Sequence, residues 1–380
     1  MTRQSPVLLD VLSEIPDFRQ SQGRRHPLQA VLALAVYAML CGYRSYGAMA
    51  EWGRNYGTDL IAALGFTQAK TPCAATLNAI FRQLDRVAVE SKLGQWAHSL
   101  LERAAGESDD LEAIAIDGKT LRGSRRQGAP AAHLLSALGH RLGVTLCQHA
   151  VADKTNEITA VHEVLSSLVL AGRVITVDAL LTQREVAQTV TDRGGDYLMV
   201  VKGNQATLQA DLQLFFEDQR LPAESIDSVE TLEAGHGRIE QRRLRASTAL
   251  CGYSDWPGLH QVFEITRSIT RKRTAEQRTE VVYGVTSLCP EQADAGRLLE
   301  LSRHHWHIEN KSHWVRDVTF DEDRSQVRSG SIPQVMAALR NTAIGLMRCA
   351  GETNMAAGCR RFAAQPWSAL ALIGITQKTE

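Results

Sequence analysis

The chain has 380 residues, 44% hydrophobic and 22% charged, the make-up of an ordinary globular protein with room for two or three compact units. Its 42 basic and 42 acidic side chains cancel, so no whole-molecule field draws it to nucleic acid or acidic membranes, and local basic clusters must do that work. Seven scattered cysteines without a C-x-x-C pair argue against a disulfide framework or a structural zinc site, and MTRQSPVLLDVLSEIPDFRQ lacks the apolar run of a signal peptide; a soluble cytoplasmic protein is expected.

Residues 1–105 read as helical. LQAVLALAVYAML (28–40) is shorter than the roughly 20 residues a bilayer requires, so a buried helix is expected, opened by Pro27 and closed by Gly42. YRSYGAMAEWGRNY suggests an amphipathic helix. In ATLNAIFRQLD, Leu77, Ile80, Phe81 and Leu84 recur at helical spacing and leave Thr76, Asn78 and Arg82 outward. A helix-turn-helix-like module and a helical cap that only packs are both compatible with this pattern.

GESDD (106–110) reads as a linker. Three strands come next at LEAIAI, AHLLSAL and GVTLCQHAV, then a helix at about 160–171, the strand RVITVD, a helix at 183–193, the strand DYLMVV and a helix at 204–218. That order predicts a mixed α/β sheet. Residues 222–288 break the alternation with four strand-like runs, and helices resume near 291. The expected division is a helical segment 1–105, a core 106–221, a β-rich insertion 222–290 and a helical close to the core 291–380. Basic clusters at 19–25, 121–126, 242–245 and 267–278 are the candidates for nucleic-acid contact.

Two acids stand where acids are costly. Asp117 ends the apolar run AIAI and Asp178 ends VITV, and a carboxylate there needs a pairing, a hydrogen bond or a metal. Strand ends are where open α/β sheets place active groups, although Asp117 could instead cap the following turn and Asp178 could be the N-cap of the helix near 183. A third acid, Glu309, lies in HHWHIENKSHWVRDVTF. On a helix through 302–317, Ser302, His305, His313 and Arg316 share its stripe. No His directly precedes Glu309, so the H-E-x-x-H zinc pattern is absent. Three carboxylates form a hard oxygen cluster suited to Mg²⁺ or Mn²⁺, and with two ions such a cluster clamps an in-line displacement at phosphorus.

Taken together, IPDFRQSQGRRHPL, YRSYGAMAEWG, TPCAATLNAIFRQLD, IAIDGKTLRGS, VDALLTQ, DYLMVVKGNQ, HGRIEQRR and HWHIENKSHWVRDVTFDEDRSQVRSG make the chain resemble insertion-sequence transposases of the H-repeat-associated (Rhs-element) group, along almost its whole length. The resemblance implies an α/β, ribonuclease H-like mixed-sheet core with a β-rich insertion, plus an all-helical N-terminal DNA-binding domain. It implies Asp117, Asp178 and Glu309 as a catalytic triad binding two Mg²⁺ or Mn²⁺ ions. The implied reaction is cut-and-paste: cleavage at transposon ends and transfer of the 3′-hydroxyl into target DNA. The implied partners are double-stranded DNA (terminal inverted repeats and target) and a second copy of the chain in a synaptic complex, with no membrane. Arg82, Lys119, Arg122, Lys202, Arg238, Arg242, His305 and Arg316 are the expected DNA contacts. Related transposases carry Tyr-x2-Arg-x3-Glu-x6-Lys; here the same spacing gives Ser302, His305, Glu309 and Arg316. Leu180-Leu181 stands where the group usually has a residue followed by Gly. Two alternatives share the site: a DNA-binding descendant that has lost transposition, and a metal-dependent nuclease acting on other DNA.

Overall fold

The computed structural model describes residues 7–377 apart from 69, 106–110, 127, 129, 152–156, 219, 221 and 236, so the expected linker at 106–110 lies outside the described residues. Helices α1 (Leu8–Ser13), α2 (Leu28–Leu40), α3 (Tyr46–Asn55), α4 (Thr58–Ala63), α5 (Ala74–Gln83) and α6 (Arg86–Ala105) come first. After them come β1 (Glu112–Thr120), β2 (His133–Gly139), β3 (Thr145–Val151), α7 (Glu157–Ser166), β4 (Arg173–Val177), α8 (Arg184–Asp192), β5 (Asp196–Val201) and α9 (Ala206–Glu217). Strands β6 (Asp227–Gly235), β7 (Arg238–Ser247), β8 (Gln261–Arg271) and β9 (Gln277–Thr286) precede α10 (Ala295–His305), α11 (Trp314–Val318), α12 (Ile332–Cys349), α13 (Met355–Ala364) and α14 (Pro366–Leu372). Two compact units result: Met1–Asp110 with Gly118–Asn156 and Ile308–Glu380, and Leu111–Asp117 with Glu157–His307.

In the first unit, α2 is apolar on all sides, and such a helix is stable only when surrounded. Residues Ala30 to Leu40 are cut off from solvent, with α1, α3, α12, α13 and α14 packed around them. Among the described residues no helix is long and apolar enough to cross a membrane. Gly42 takes φ +81°, the left-handed turn that ends a helix at little steric cost for glycine. Trp52 of α3 lies edge-on to Tyr37, 4.7 Å between centroids, and stacks on Tyr56 at 4.9 Å. β2 and β3 pair antiparallel, and α6 and α12 lie against β3.

In the second unit, β1, β4 and β5 run parallel, with Ile116 opposite Val177 and Val177 opposite Met199. Their apolar runs are continuous because both faces are covered. From β5 the sheet continues antiparallel, giving the order β1-β4-β5-β9-β8-β7-β6 in this unit. Helix α10 crosses one face and buries Leu298, Leu299 and Leu301 against Leu244, Phe263 and Ile265. Each such side chain contributes about 1.5–3 kcal/mol when fully buried. Gly284 is needed here, since a Cβ would collide with the Phe263 ring. On other elements of the unit, α9 packs on β8 and β9, and α8 on β5. The fold is thus the expected mixed α/β arrangement, carrying a β-rich run and preceded by helices.

One element corrects the expectation. Residues 302–317 are not one α-helix: α10 ends at His305, a π-helical turn spans Ile308–His313, and α11 resumes at Trp314. A π turn inserts an extra residue and rotates the helix beyond it, so the stripe counted at α-helical spacing does not survive. Glu309 is exposed, whereas Ser312, His313 and Arg316 are buried.

Candidate active site

The parallel register places the two aspartates together. Ile116 and Val177 are opposite one another, so Asp117 and Asp178 are the next residues along two neighbouring strands. Both are half-buried. Burial pushes the Asp178 carboxyl above its ordinary range; the Leu181 amide opposes the shift, while the charges of Asp117 and of Glu157 add to it. Glu157, the buried first residue of α7, is an acid that sequence reasoning passed over, because the helix expected from about 160 leaves it outside the element.

The turn after Asp178 answers the question of its leucines. The Leu181 amide donates to Asp178 Oδ1 at 3.2 Å, while the Thr182 hydroxyl lies 2.9 Å from Asp178 O and 2.7 Å from Val200 O. Helix α8 has Gln183 at its N-cap, so Asp178 caps this local turn and not the helix. Among the described residues the only non-glycine positive φ angles belong to Ala275 and Asp321, so Leu181 needs no glycine-like conformation. Its side chain is instead 1% exposed and packs as core. From the other side, Asn204 donates to Ala179 O at 2.6 Å and Gln205 to Thr182 O at 3.1 Å. Asn204 and Gln205 of DYLMVVKGNQ thus hold the turn that carries Asp178, a role invisible until the ends of β4 and β5 are side by side.

Glu309 sits on the exposed side of the π turn, in the other compact unit. Ser312 on the same turn faces Asn341 of α12, with Oγ 3.5 Å from Oδ1. His305, at the end of α10, has Nδ1 3.0 Å from Thr176 Oγ1. Burial holds its imidazole below the ordinary value, with Asp117 pulling the other way, so at neutral pH it is uncharged. His304 and His307 stack on each other at 4.3 Å.

The eight expected DNA contacts divide. Arg82, Arg122, Lys202 and Arg238 are exposed, although Arg122 Nε also lies 3.7 Å from Asp323 Oδ2 and Arg238 Nη2 3.4 Å from Glu240 Oε2. The other four are engaged within the protein. Arg316 is wholly buried and reaches Glu322 at 2.7 Å, and Arg340 grips the other oxygen of the same carboxylate at 2.8 Å. Lys119 is buried and pairs with Asp317 at 2.5 Å. Arg242 bonds Glu240 at 2.6 Å, and His305 bonds Thr176 as above. For the three cations the reason is common: a charge withdrawn from water needs a partner, and an unpaired one would be costly, whereas uncharged His305 needs only its hydrogen bond. The basic position seven residues after Glu309 is therefore structural, and the reading of Arg316 as a phosphate contact gives way to that of an internal ion pair.

Two aspartates forced together at half-buried strand ends fit a hard divalent cation, which relieves their repulsion and accepts oxygen ligands. Among the described residues no three His, Cys, Asp or Glu side chains converge as a ready-made metal cage.

The described core is a mixed α/β sheet with two aspartates at adjacent strand ends. The family described as "Transposase DDE domain" matches residues 108–346, and the domain associated with it matches residues 9–97. The chain is 31% identical over 368 residues to YbfL and to the H repeat-associated protein YhhI, both of Escherichia coli strain K12, covering 93% of this chain and 93% of each of those. It is 32% identical over 351 residues to YncI of E. coli O157:H7, covering 90% of this chain and 87% of that one. This chain belongs to the DDE transposase family, in its H-repeat-associated group.

Proposed function

We propose that this transposase cuts DNA at the ends of its element and joins the freed 3′-hydroxyls to target DNA, with Asp117, Asp178 and Glu309 as its metal-binding carboxylates. The observation that carries the reading is the register that makes Asp117 and Asp178 neighbours on parallel strands. Glu309, exposed on a π turn, supplies the third carboxylate; such turns recur at functional sites. Two Mg²⁺ or Mn²⁺ ions bound there would supply the Lewis acidity that activates an attacking oxygen and stabilises a leaving one.

The protein's own part is positional. The Leu181 amide and the Asn204 and Gln205 side chains hold the turn at Asp178. Neutral His305, tied to Thr176, fills the space beside Asp117 without adding charge. Exposed Arg82, Arg122, Lys202 and Arg238 contact phosphates, so affinity falls steeply with salt. In this reading residues 1–105 form a DNA-binding domain, 106–221 and 291–380 the core, and 222–290 an insertion that grips DNA. A homodimer joins two transposon ends in the cytoplasm.

The test is Mg²⁺-dependent cleavage and joining of DNA bearing the element's terminal repeats, comparing wild type with Asp117→Ala and Glu309→Ala. Activity in the wild type alone is expected. A wild type without metal-dependent activity on this DNA refutes the function, and full activity in Glu309→Ala refutes the site.

A further inference from the structure

With Arg316 committed to Glu322, two other cations of this unit have no carboxylate partner among the described residues. Lys311 lies on the π turn two residues after Glu309, and Arg348 lies in the last turn of α12. Both side chains converge on the backbone at Gly143, in the turn between β2 and β3. A Cβ there would meet Lys311 Cδ at 3.1 Å, Arg348 Cδ at 3.7 Å and Arg348 Nε at 3.8 Å. Gly143 has φ +64°, and its bare backbone lets the two side chains come together.

Their polar contacts are few and neutral. Lys311 Nζ reaches His140 O at 3.5 Å, and Arg348 Nη1 reaches Thr353 O at 3.4 Å. Arg348 Nε is buried without a hydrogen-bond partner among the described residues. Elsewhere in this unit a buried or half-buried cation is matched by a carboxylate, as in Lys119–Asp317 and Arg316–Glu322. Two half-buried cations side by side without an anion weaken the fold unless something else supplies the negative charge.

We propose that Lys311 and Arg348 form a binding site for a phosphate of the duplex DNA backbone. The proposal rests on the reading of this chain as acting on DNA, and extends it to residues outside the acidic triad. A phosphodiester is the anion that a DNA-acting chain meets, and Arg and Lys together donate to both of its non-bridging oxygens.

The experiment measures duplex DNA binding in EDTA, across a salt series, for wild type, Lys311→Met, Arg348→Met and Lys311→Arg, with the melting temperature of each. The two methionine variants are expected to bind more weakly, with the slope of log affinity against log salt smaller by about 1, the loss of one phosphate contact. They are also expected to melt no lower than wild type, because one of two repelling charges is gone. Lys311→Arg should keep the wild-type slope. An unchanged slope in both methionine variants overturns the proposal. So does competition by inorganic phosphate at this site with the DNA slope unaltered, which would make it a site for free phosphate. Since EDTA removes metal, the outcome is independent of cleavage: a changed slope with no cleavage by wild type spares this site and sinks the proposed reaction, and the converse does the reverse.

Discussion

Removing one charge from the Asp117–Asp178 pair should stabilise the metal-free protein while destroying its chemistry. Neighbouring strands run about 4.8 Å apart, and the two carboxylates are next in register on such strands. Two full charges about 5 Å apart at an effective dielectric of about 20 repel by about 3 kcal/mol. Burial raises the Asp178 pKa, and the neighbouring charge of Asp117 raises it further. For an acid with a raised folded-state pKa, stability is full below the ordinary value and is lost as pH rises through the raised one. At neutral pH without metal, Asp178→Asn should therefore gain about 1–3 kcal/mol, since the amide oxygen still accepts from Leu181. That corresponds to a rise of roughly 2–12 °C in melting temperature for a unit of this size. Thermal melts in EDTA should show the gain shrinking as pH falls toward 4, and added Mg²⁺ should stabilise the wild type but not the variant. A variant no more stable than wild type at every pH, or equal stabilisation of both by Mg²⁺, refutes the reasoning.

Glu322→Gln leaves Arg316 and Arg340 buried without their counter-charge and should cost about 3–5 kcal/mol, read by urea unfolding. Burial pushes the Glu322 carboxyl up, but Arg316 and Arg340 outweigh it and hold its pKa below the ordinary 4.5. Its stabilisation is thus present above that value and lost as pH falls through the lowered one, so the wild-type advantage should vanish only in strong acid. Leu181→Gly, which restores the residue usual in the group, should cost about 2–5 kcal/mol because a fully buried side chain is removed; an unchanged melting temperature would contradict the packing described. Asn204→Ala frees the turn beyond Asp178, and should lower the cleavage rate at least tenfold, the equivalent of about 1.4 kcal/mol, with a smaller change in DNA affinity. Equal loss of both would make Asn204 a DNA contact and not a support of the turn.

The sequence by itself determined the elements and the acids. Apolarity on every side marks α2 as a core helix at any position in the fold, and the burial of Ala30 to Leu40 results from it. An aspartate ending AIAI or VITV is conspicuous because a carboxylate there is costly, so both acids were legible before their partners were known. Only the tertiary structure decided which groups meet. Register between β1 and β4 makes Asp117 and Asp178 neighbours, and the approach of the β5 end brings Asn204 onto the turn at Ala179. The π turn shows the limit most clearly. Counting at 100° per residue gives Glu309 and Arg316 one stripe, but one extra residue in the helix leaves Glu309 in solvent and turns Arg316 inward to Glu322. A helical period is a local property of the chain, whereas an insertion in that period, and the burial of a charge against a distant one, depend on the elements packed against it.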